Sequence, residues 1–170
     1  ARMMVLRAMR DDAHDFDALC QIAELSGPGF TSLTTDRDLL HNKIRRSEEA
    51  FTQTLDAPLD ELYLFSLEDA ETGAVGGCCG LESAVGMREP FYNYRVGTIV
   101  HASRELGVYR KTPTLYLSND YTGCSELCTL FLNPDFRGGG NGTLLSKARF
   151  LFMAEHAHRF NDRVIAEMRG

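Results

Sequence analysis

The chain has 170 residues, of which 44% are hydrophobic and 25% are charged, proportions typical of a globular domain with an ordinary core. Its net charge of −6 argues against a nucleic-acid partner, because no basic field is available to displace counterions from a phosphate backbone. No apolar run predicts a membrane-spanning helix or the core of a signal peptide. We therefore predict a cytoplasmic protein with neither a membrane nor a nucleic-acid partner.

The first part of the chain predicts one strand and two helices. An apolar run over residues 3–9 indicates the strand. The stretches Arg10-Asp11-Asp12 and Thr34-Thr35-Asp36 precede segments with helical periodicity and are predicted to cap them, because polar side-chain oxygens accept the unpaired N–H groups of a first turn. Gly27-Pro28-Gly29 is predicted to end the first helix. The predicted inward stripes are Phe16, Leu19, Cys20 and Ala23 in the first helix and Leu40, Ile44, Ser47 and Phe51 in the second.

The middle of the chain predicts strands. Residues 62–67 and 74–81 form an antiparallel hairpin, and glycines in its second strand indicate a bulge or close packing. The aromatic and β-branched run at 91–100 predicts another strand, and 114–118 predicts a short one. The mixed, polar stretch at 102–112 is predicted to be irregular, broken by Gly107 and Pro113. We interpret the longer polar and aromatic insertion at 83–120 as a substrate-facing surface.

The last part of the chain is organised around a glycine-rich loop. The segment Arg137-Gly138-Gly139-Gly140-Asn141-Gly142-Thr143 lies between a predicted strand at 126–132 and a predicted helix at 142–158. The first N–H groups of a helix lack partners within it and carry partial positive charge, so that this loop suits a phosphate or pyrophosphate. A final strand is predicted at 164–168. The helix is predicted to turn inward Leu144, Ala148, Leu151, Phe152 and Glu155.

Three glycine-rich templates compete for this loop. A Walker loop needs Lys and then Ser or Thr after its last glycine, but Gly142 is followed by Thr143 and Leu144. A dinucleotide-binding G-x-G-x-x-G would need a glycine in place of Thr143. The pattern Arg/Gln-x-x-Gly-x-Gly/Ala of acyl-CoA-dependent N-acyltransferases is satisfied from Arg137 to Gly142. The loop is therefore predicted to bind a CoA pyrophosphate, the alternative being a flexible connector rich in glycine.

The cysteines and histidines predict no metal site. The five cysteines form no C-x-x-C pair, and no second pair of ligands accompanies Cys124 and Cys128. We interpret them as reduced thiols. A covalent acyl route through Cys128 would need a neighbour that stabilises the thiolate, and none is evident.

Several longer blocks resemble the arginine N-succinyltransferase family, which begins the succinyl-dependent degradation of arginine in bacteria. The blocks keep their order and lie at 31–33, 89–98, 100–103, 117–120, 125–132, 137–142 and 164–170. The resemblance implies an α+β, three-layer fold of the GNAT type, a mixed and mostly antiparallel sheet with helices on both faces. It also implies succinyl-CoA as the donor and the α-amino group of L-arginine, or of ornithine, as the acceptor.

The resemblance also implies roles for particular residues. The donor-binding position of the family falls on Leu130, in a strand that splays from its neighbour and leaves backbone groups free for the pantetheine amides. Glu126 begins that strand, where related acyltransferases often keep a base, and is predicted to be the general base. Asp120 and Tyr94 are predicted to bind the acceptor, since a guanidinium favours a carboxylate fork. Glu82 is a further candidate carboxylate.

Family members are longer than this chain, and the resemblance places their proton-donor histidine in a second half that this sequence lacks. None of the histidines present corresponds to it: His14, His41, His101, His156 and His158. We predict that residues 1–170 form a single acyl-CoA-binding domain, the N-terminal half of a longer, oligomeric enzyme, with the missing half or a second subunit as its partner. The alternatives are a non-catalytic acyl-CoA-binding or regulatory module, and a GNAT-type N-acetyltransferase of other specificity.

Overall fold

The computed structural model of the protein describes residues 2–27 and 30–168. Its helices and strands, in chain order, are β1 (Met4–Ala8), α1 (Ala13–Ser26), α2 (Arg37–Thr52), β2 (Leu62–Asp69), β3 (Val75–Glu82), β4 (Asn93–Ser103), β5 (Val108–Ser118), β6 (Ser125–Leu132), α3 (Asn141–Glu155) and β7 (Val164–Ile165). Short 3-10 turns at Pro134–Phe136 and Ala157–Arg159 flank α3. Within the described residues, no helix combines the length and the apolar character needed to cross a membrane.

Five strands form one mixed sheet in the order β1-β2-β3-β6-β7. Its neighbours are antiparallel, except that β6 and β7 run parallel. Helices α1 and α2 cover one face, where Leu40 and Ile44 belong to the same buried cluster as Leu64 of β2. Helix α3 covers the other face, where Leu145 belongs to a second cluster with Tyr63. Helices on both faces of a mostly antiparallel sheet confirm the predicted α+β architecture.

Both N-terminal helices begin at their predicted caps. The carboxylate of Asp12 accepts the N–H of Asp15 at 2.9 Å. The carboxylate of Asp36 accepts the N–H groups of Asp38 and Leu39 at 2.9 and 3.1 Å. Each cap satisfies donors that the first turn leaves without helical partners, which is why the sequence located these helix starts correctly.

The predicted inward stripes of α1 and α2 are also confirmed. All of their side chains are buried except those of Phe16 and Phe51, which are partly exposed. Helix α1 ends before Gly27, whose φ of +70° a residue with a Cβ would adopt only at a cost. Pro28 and Gly29, predicted to end the helix with it, lie outside the described residues.

Glycines in β3 let neighbouring chain segments approach the sheet. A Cβ added at Gly76 would lie 2.3 Å from the ring of Phe136, and one added at Gly77 would lie 2.6 Å from the carbonyl oxygen of Phe131. Phe136 belongs to the turn that precedes the glycine loop, so Gly76 lets that loop pack directly on the sheet. The close packing predicted for this strand is confirmed.

The break predicted at Pro113 is wrong, whereas the one predicted at Gly107 lies in the turn at 104–107 that joins the two strands. Strands β4 and β5 pair without interruption from Asn93↔Ser118 to Ser103↔Val108 and form a separate two-stranded ribbon. Pro113 lies inside β5, opposite Thr98. In a two-stranded ribbon one edge of each strand makes no interstrand hydrogen bonds, so proline, which lacks an N–H, is tolerated where its nitrogen faces that edge.

Helix α3 differs from its prediction in length and in orientation. It ends at Glu155 instead of continuing to residue 158. Its buried residues are Leu145 and Arg149, whereas Leu144, Leu151 and Glu155, predicted to point inward, are exposed. The inward position of Arg149 explains the error, because a charged residue inside the buried stripe conceals the true apolar face.

Candidate functional site

Strand β6 carries a bulge at its centre. Its register with β3 passes from Gly80↔Cys128 to Cys78↔Phe131, so β6 has one residue more than β3 between these pairs. Thr129, inside the bulge, has a φ of +53° and is the only described non-glycine residue with a positive φ. A β-branched residue is unfavourable in this conformation, and such outliers concentrate at functional sites. No feature of the sequence predicted this bulge.

The outer edge of β6 is unpaired beyond its first two residues. Strand β7 pairs with β6 only at Ser125↔Val164 and Glu126↔Ile165, so it is shorter than the predicted strand at 164–168. The last two residues of the chain lie outside the described part. Among the described strands, none pairs with the outer edge of β6 after Glu126. This divergence agrees with the predicted splay, and Leu130, with 42% of its surface exposed, lies on the divergent part of β6.

Glu126 lies in a cleft of about 400 Å³ at the start of β6. Glu82 of β3 is its cross-strand partner, and Glu167 lines the same cleft. Burial, together with the charges of Glu82 and Glu167 and opposed by Lys43, raises the pKa of Glu126 to about 7. A carboxyl group with a pKa near neutrality can exchange a proton with a substrate at physiological pH.

The acidic side chains of this cleft are not neutralised by its basic ones. Lys43 Nζ donates to the carbonyl oxygen of Ser32 at 2.7 Å, and Arg88 pairs with Asp60 at 2.7 Å. Arg46 donates to the backbone carbonyl of Asp60. Across the described residues, no salt bridge or side-chain hydrogen bond involves the carboxylates of Glu82 and Glu126. Two adjacent unpaired carboxylates favour a cationic ligand.

Cys128 lines the same cleft but is poorly suited to act as a nucleophile. Burial raises the pKa of its thiol to about 12, a hydrogen bond with Thr129 opposes this, and the charges of Glu82 and Glu126 add to it. Nucleophilic attack requires a thiolate, which this environment disfavours. The structure therefore disfavours the covalent acyl route through Cys128, and all five cysteines are free.

The glycine loop turns the chain from β6 into α3 with an open surface. Gly138, Gly139 and Gly140 have φ values of +103°, +60° and +85°, and no atom lies within 4 Å of the position that a Cβ would take at any of them. Helix α3 has no side-chain cap, and in the described part of the chain the N–H groups of Gly142 and Thr143 find no acceptor. Free N–H groups at the positive end of a helix form an anion site.

The side chains around the loop divide into supporting and free ones. Asn141 supports the loop, because its backbone N–H donates to the carbonyl oxygen of Gly138 at 3.1 Å and its side-chain amide donates to the carbonyl oxygen of Phe136 at 2.8 Å. The second N–H of this amide has no acceptor among the described residues, and the assignment of Asn141 to the cofactor stays a prediction. Arg137 and Lys147 are exposed and form no salt bridge with any described residue, so their charges can favour an anion.

The structure does not bring Asp120 and Tyr94 into the cleft that holds Glu126. The carboxylate of Asp120 accepts hydrogen bonds from Arg95 Nε at 2.5 Å and Nη2 at 2.6 Å, which lower its pKa to about 2. A carboxylate already held by one guanidinium is less available to a second. Tyr94 is exposed on β4. The assignment of both residues to the acceptor stays a prediction.

Arg149 is a residue of this region that the sequence did not single out. Its side chain is buried, and Nη1 donates to the carbonyl oxygen of Cys128 at 3.4 Å, directly beside the bulge. It therefore ties α3 to the part of β6 where the strand departs from regular geometry. The sequence signal that could have identified Arg149 is its position four residues after Leu145, where a basic residue interrupts an otherwise apolar stripe.

Comparisons with known proteins identify the family that the chain matches. Over residues 4–170 the chain matches the family described as arginine N-succinyltransferase beta subunit. The arginine N-succinyltransferase of Citrobacter koseri is 53% identical over 168 residues, which are 99% of this chain and 48% of that protein. The structure of arginine/ornithine succinyltransferase subunit AI from Pseudomonas aeruginosa is 36% identical with a TM-score of 0.91, and the match covers 100% of this chain and 51% of that one.

A GCN5-related N-acetyltransferase from Ralstonia eutropha shares the fold at 16% identity and a TM-score of 0.51, with 98% of this chain and 84% of that one covered. This likeness confirms the predicted GNAT-type fold. The chain spans about half the length of the arginine N-succinyltransferases that it matches. Because the family match extends over nearly all of its residues, the chain belongs to the arginine N-succinyltransferase beta subunit family.

Proposed function

We propose that the chain is the part of an arginine N-succinyltransferase that binds succinyl-CoA and supplies Glu126 as the general base. The observation that carries the proposal is the open edge of β6, which connects the carboxylate cleft with the glycine loop. An acyl-CoA lying along this edge would have its pyrophosphate at the loop and its thioester beside Glu126. The edge from Glu126 to Leu132 is about 20 Å long at the rise of an extended strand.

The donor would be held mainly by backbone groups. The free N–H groups of Gly142 and Thr143 would bind the pyrophosphate, and Arg137 would add positive charge. The unpaired edge of β6 around Leu130 would bind the pantetheine amides as a sheet edge binds an added strand. This assignment uses the groups that the fold leaves without partners in the described residues.

The acceptor would be held by carboxylates. L-arginine carries a guanidinium, which is always charged, and a carboxylate fork matches its donors in geometry. Glu82 and Glu167 line the same cleft as the proposed base Glu126, and Glu82 has no ion-pair partner among the described residues. The same acidic cleft would accept ornithine, whose side chain also ends in a cation.

The chemistry would be direct transfer of the succinyl group to nitrogen. The α-amino nitrogen attacks the thioester carbonyl carbon, Glu126 takes the proton from that nitrogen, and the C–S bond breaks to release the thiolate of CoA. Backbone N–H groups near the bulge at Thr129 would stabilise the oxyanion. The family resemblance assigns protonation of the thiolate to a histidine outside this chain.

A pair of loop variants tests donor binding. Gly140→Val forces a branched side chain into a φ of +85° and places it on the open surface of the loop, so we expect at least about a tenfold loss of affinity for succinyl-CoA. Gly142→Ala is the matched control, because the nearest atom to its Cβ would be 3.8 Å away. Calorimetric titration measures both, with thermal melts to verify folding. Equal affinities of the two variants would contradict the pyrophosphate assignment.

A thiol-release assay then separates the enzyme from a module that only binds acyl-CoA. We expect CoA release from succinyl-CoA and arginine once the chain is supplied with the second half of a longer relative, and loss of that release in Glu126→Gln. Binding of succinyl-CoA without release, even with the second half present, would favour the non-catalytic module.

A further inference from the structure

The β4–β5 ribbon is amphipathic, and its two faces are exposed to different degrees. Cross-strand partners share a face, so that Val96 lies beside Leu115 and Tyr94 lies beside Leu117. The residues of this face are Tyr94, Val96, Thr98, Val100, Ala102, Tyr109, Lys111, Pro113, Leu115 and Leu117. All of them are exposed, and all except Thr98 and Lys111 are apolar or aromatic. We call this set the apolar ribbon face.

The opposite face of the ribbon is mixed in polarity and less exposed. Its polar side chains, such as Arg95, His101 and Arg110, lie beside Ile99, Val108 and Tyr116, and several of its positions, including Gly97 and Thr112, are only partly exposed. The more apolar face of this ribbon is therefore also the more exposed one. A continuous exposed apolar surface of this kind marks an interaction site in a folded protein.

The ribbon receives little support from the rest of the domain. Its strands pair with each other only, and no described helix or strand of the main sheet packs extensively against them. Isolated two-stranded hairpins are marginally stable in water. Another folded polypeptide that covers the apolar ribbon face would bury the side chains that the domain itself leaves exposed.

We infer that the apolar ribbon face docks against the polypeptide that forms the second half of the longer relatives. The chain matches those relatives almost completely but covers only 48% of the Citrobacter koseri protein and 51% of the Pseudomonas aeruginosa chain. Each therefore contains a further polypeptide of about the same size as this chain. This inference depends on the family relationship, and it does not depend on any catalytic step of the proposed function.

The size of the face favours this partner over a second copy of the chain. Five residue pairs about 7 Å apart give a footprint of roughly 30 Å by 10 Å, on the order of 300 Å². A stable complex of separate molecules typically buries about 800 Å² on each partner. A partner of the same polypeptide is already held at high effective concentration, so a smaller contact suffices.

Cysteine labelling tests the inference with one substitution on each face of β4. Val96→Cys places a thiol on the apolar ribbon face, where Val96 is 81% exposed, and Ile99→Cys places one on the opposite face of the same strand, where Ile99 is 36% exposed. Four of the native cysteines are buried and the fifth, Cys128, has a raised pKa, so background labelling is slow. The rate at which a maleimide labels each variant is measured first for the chain by itself. It is then measured in the presence of the second half of the Citrobacter koseri protein, either added as a separate polypeptide or joined to the chain.

We expect the second half to slow labelling of Val96→Cys by about tenfold or more and that of Ile99→Cys by less than about twofold, as burial in an interface core excludes the reagent from one face only. Unchanged labelling of Val96→Cys in both arrangements would overturn the inference. Equal slowing of both variants would overturn the assignment to this face. If labelling of Val96→Cys without the second half became slower as the concentration of the chain rose, a second copy of the chain would be the occupant. That result would overturn the proposed partner.

Discussion

The β2–β3 hairpin and the β4–β5 ribbon have the same pairing geometry and opposite surroundings. Both are antiparallel pairs of consecutive strands. Nearly every residue of β2 and β3 is buried between helices on both faces, whereas no residue of the ribbon is buried and most are exposed. Backbone hydrogen bonds are therefore common to both, and the difference in side-chain burial is expected to decide which one stabilises the fold.

The largest difference in the free energy of unfolding is expected when one leucine of the hairpin and one leucine of the ribbon are each replaced by alanine. Leu64→Ala in β2 removes a fully buried side chain and leaves a cavity, so we expect the free energy of unfolding to fall by about 2–5 kcal/mol. Leu115→Ala in β5, where the side chain is 61% exposed, should cost less than about 1 kcal/mol in the chain alone. Urea unfolding followed by circular dichroism measures both. Similar costs would contradict the contrast between the two strand pairs.

A matched pair of glycine substitutions should give the next largest effect. A Cβ at Gly77 meets the backbone oxygen of Phe131 at 2.6 Å, so Gly77→Ala must displace β6 and is expected to cost about 2–3 kcal/mol. A Cβ at Gly97 meets the exposed ring of Tyr116 at 2.7 Å, and that ring can rotate away. We expect Gly97→Ala to change stability by less than about 0.5 kcal/mol in the same unfolding measurement. A large loss in Gly97→Ala would show that the ribbon is as rigidly packed as the hairpin.

The cross-strand pair of Glu82 and Glu126, on the β3 side of the hairpin, predicts a pH-dependent effect of intermediate size. The pKa of Glu126 is about 7 in the folded chain against an ordinary value of 4.5. The folded state therefore holds this proton more tightly, and the stability it contributes below pH 4.5 is lost as the pH rises to about 7. We expect Glu126→Gln to be more stable than the native chain above pH 7 by on the order of 1 to 2 kcal/mol, allowing for partial exposure, and equally stable at pH 4.

Unfolding at a series of pH values measures this difference. Glu82→Gln is the informative companion, because removing the neighbouring charge should lower the pKa of Glu126 without removing its proton site. A constant difference between Glu126→Gln and the native chain from pH 4 to pH 8 would contradict the raised pKa.

The smallest effect is expected at the base of the ribbon. The pair of Arg95 and Asp120 is exposed, so Asp120→Asn should leave the midpoint of thermal unfolding unchanged at physiological salt. Thermal melts measure this, and a lowered midpoint would show that the pair supports the ribbon.

A higher KM for arginine at unchanged stability, in the chain supplied with its second half, would support the acceptor role predicted for Asp120. An unchanged KM would remove Asp120 from the acceptor site.

The sequence predicted well those features that depend on a few neighbouring residues. The caps at Asp12 and Asp36 and the glycine loop from Arg137 to Gly142 were located because a cap or a loop is specified by residues within a turn of each other. The ribbon was misjudged because Pro113 is typical of a strand break, whereas a strand that pairs on one side only tolerates it. The inward side of α3 was misjudged because Arg149 is inward through a contact with β6, far away in the sequence.

By itself, the sequence determined the types of the elements, the glycine loop and the family, since these follow from local periodicity, glycine placement and extended similarity. Tertiary structure alone decided the properties of the candidate site. The bulge at Thr129, the raised pKa of Glu126 beside Glu82, and the engagement of Asp120 by Arg95 each depend on strands that meet across the sheet or the ribbon. The physical reason is that burial and electrostatic interactions act through space, between residues that no local pattern connects.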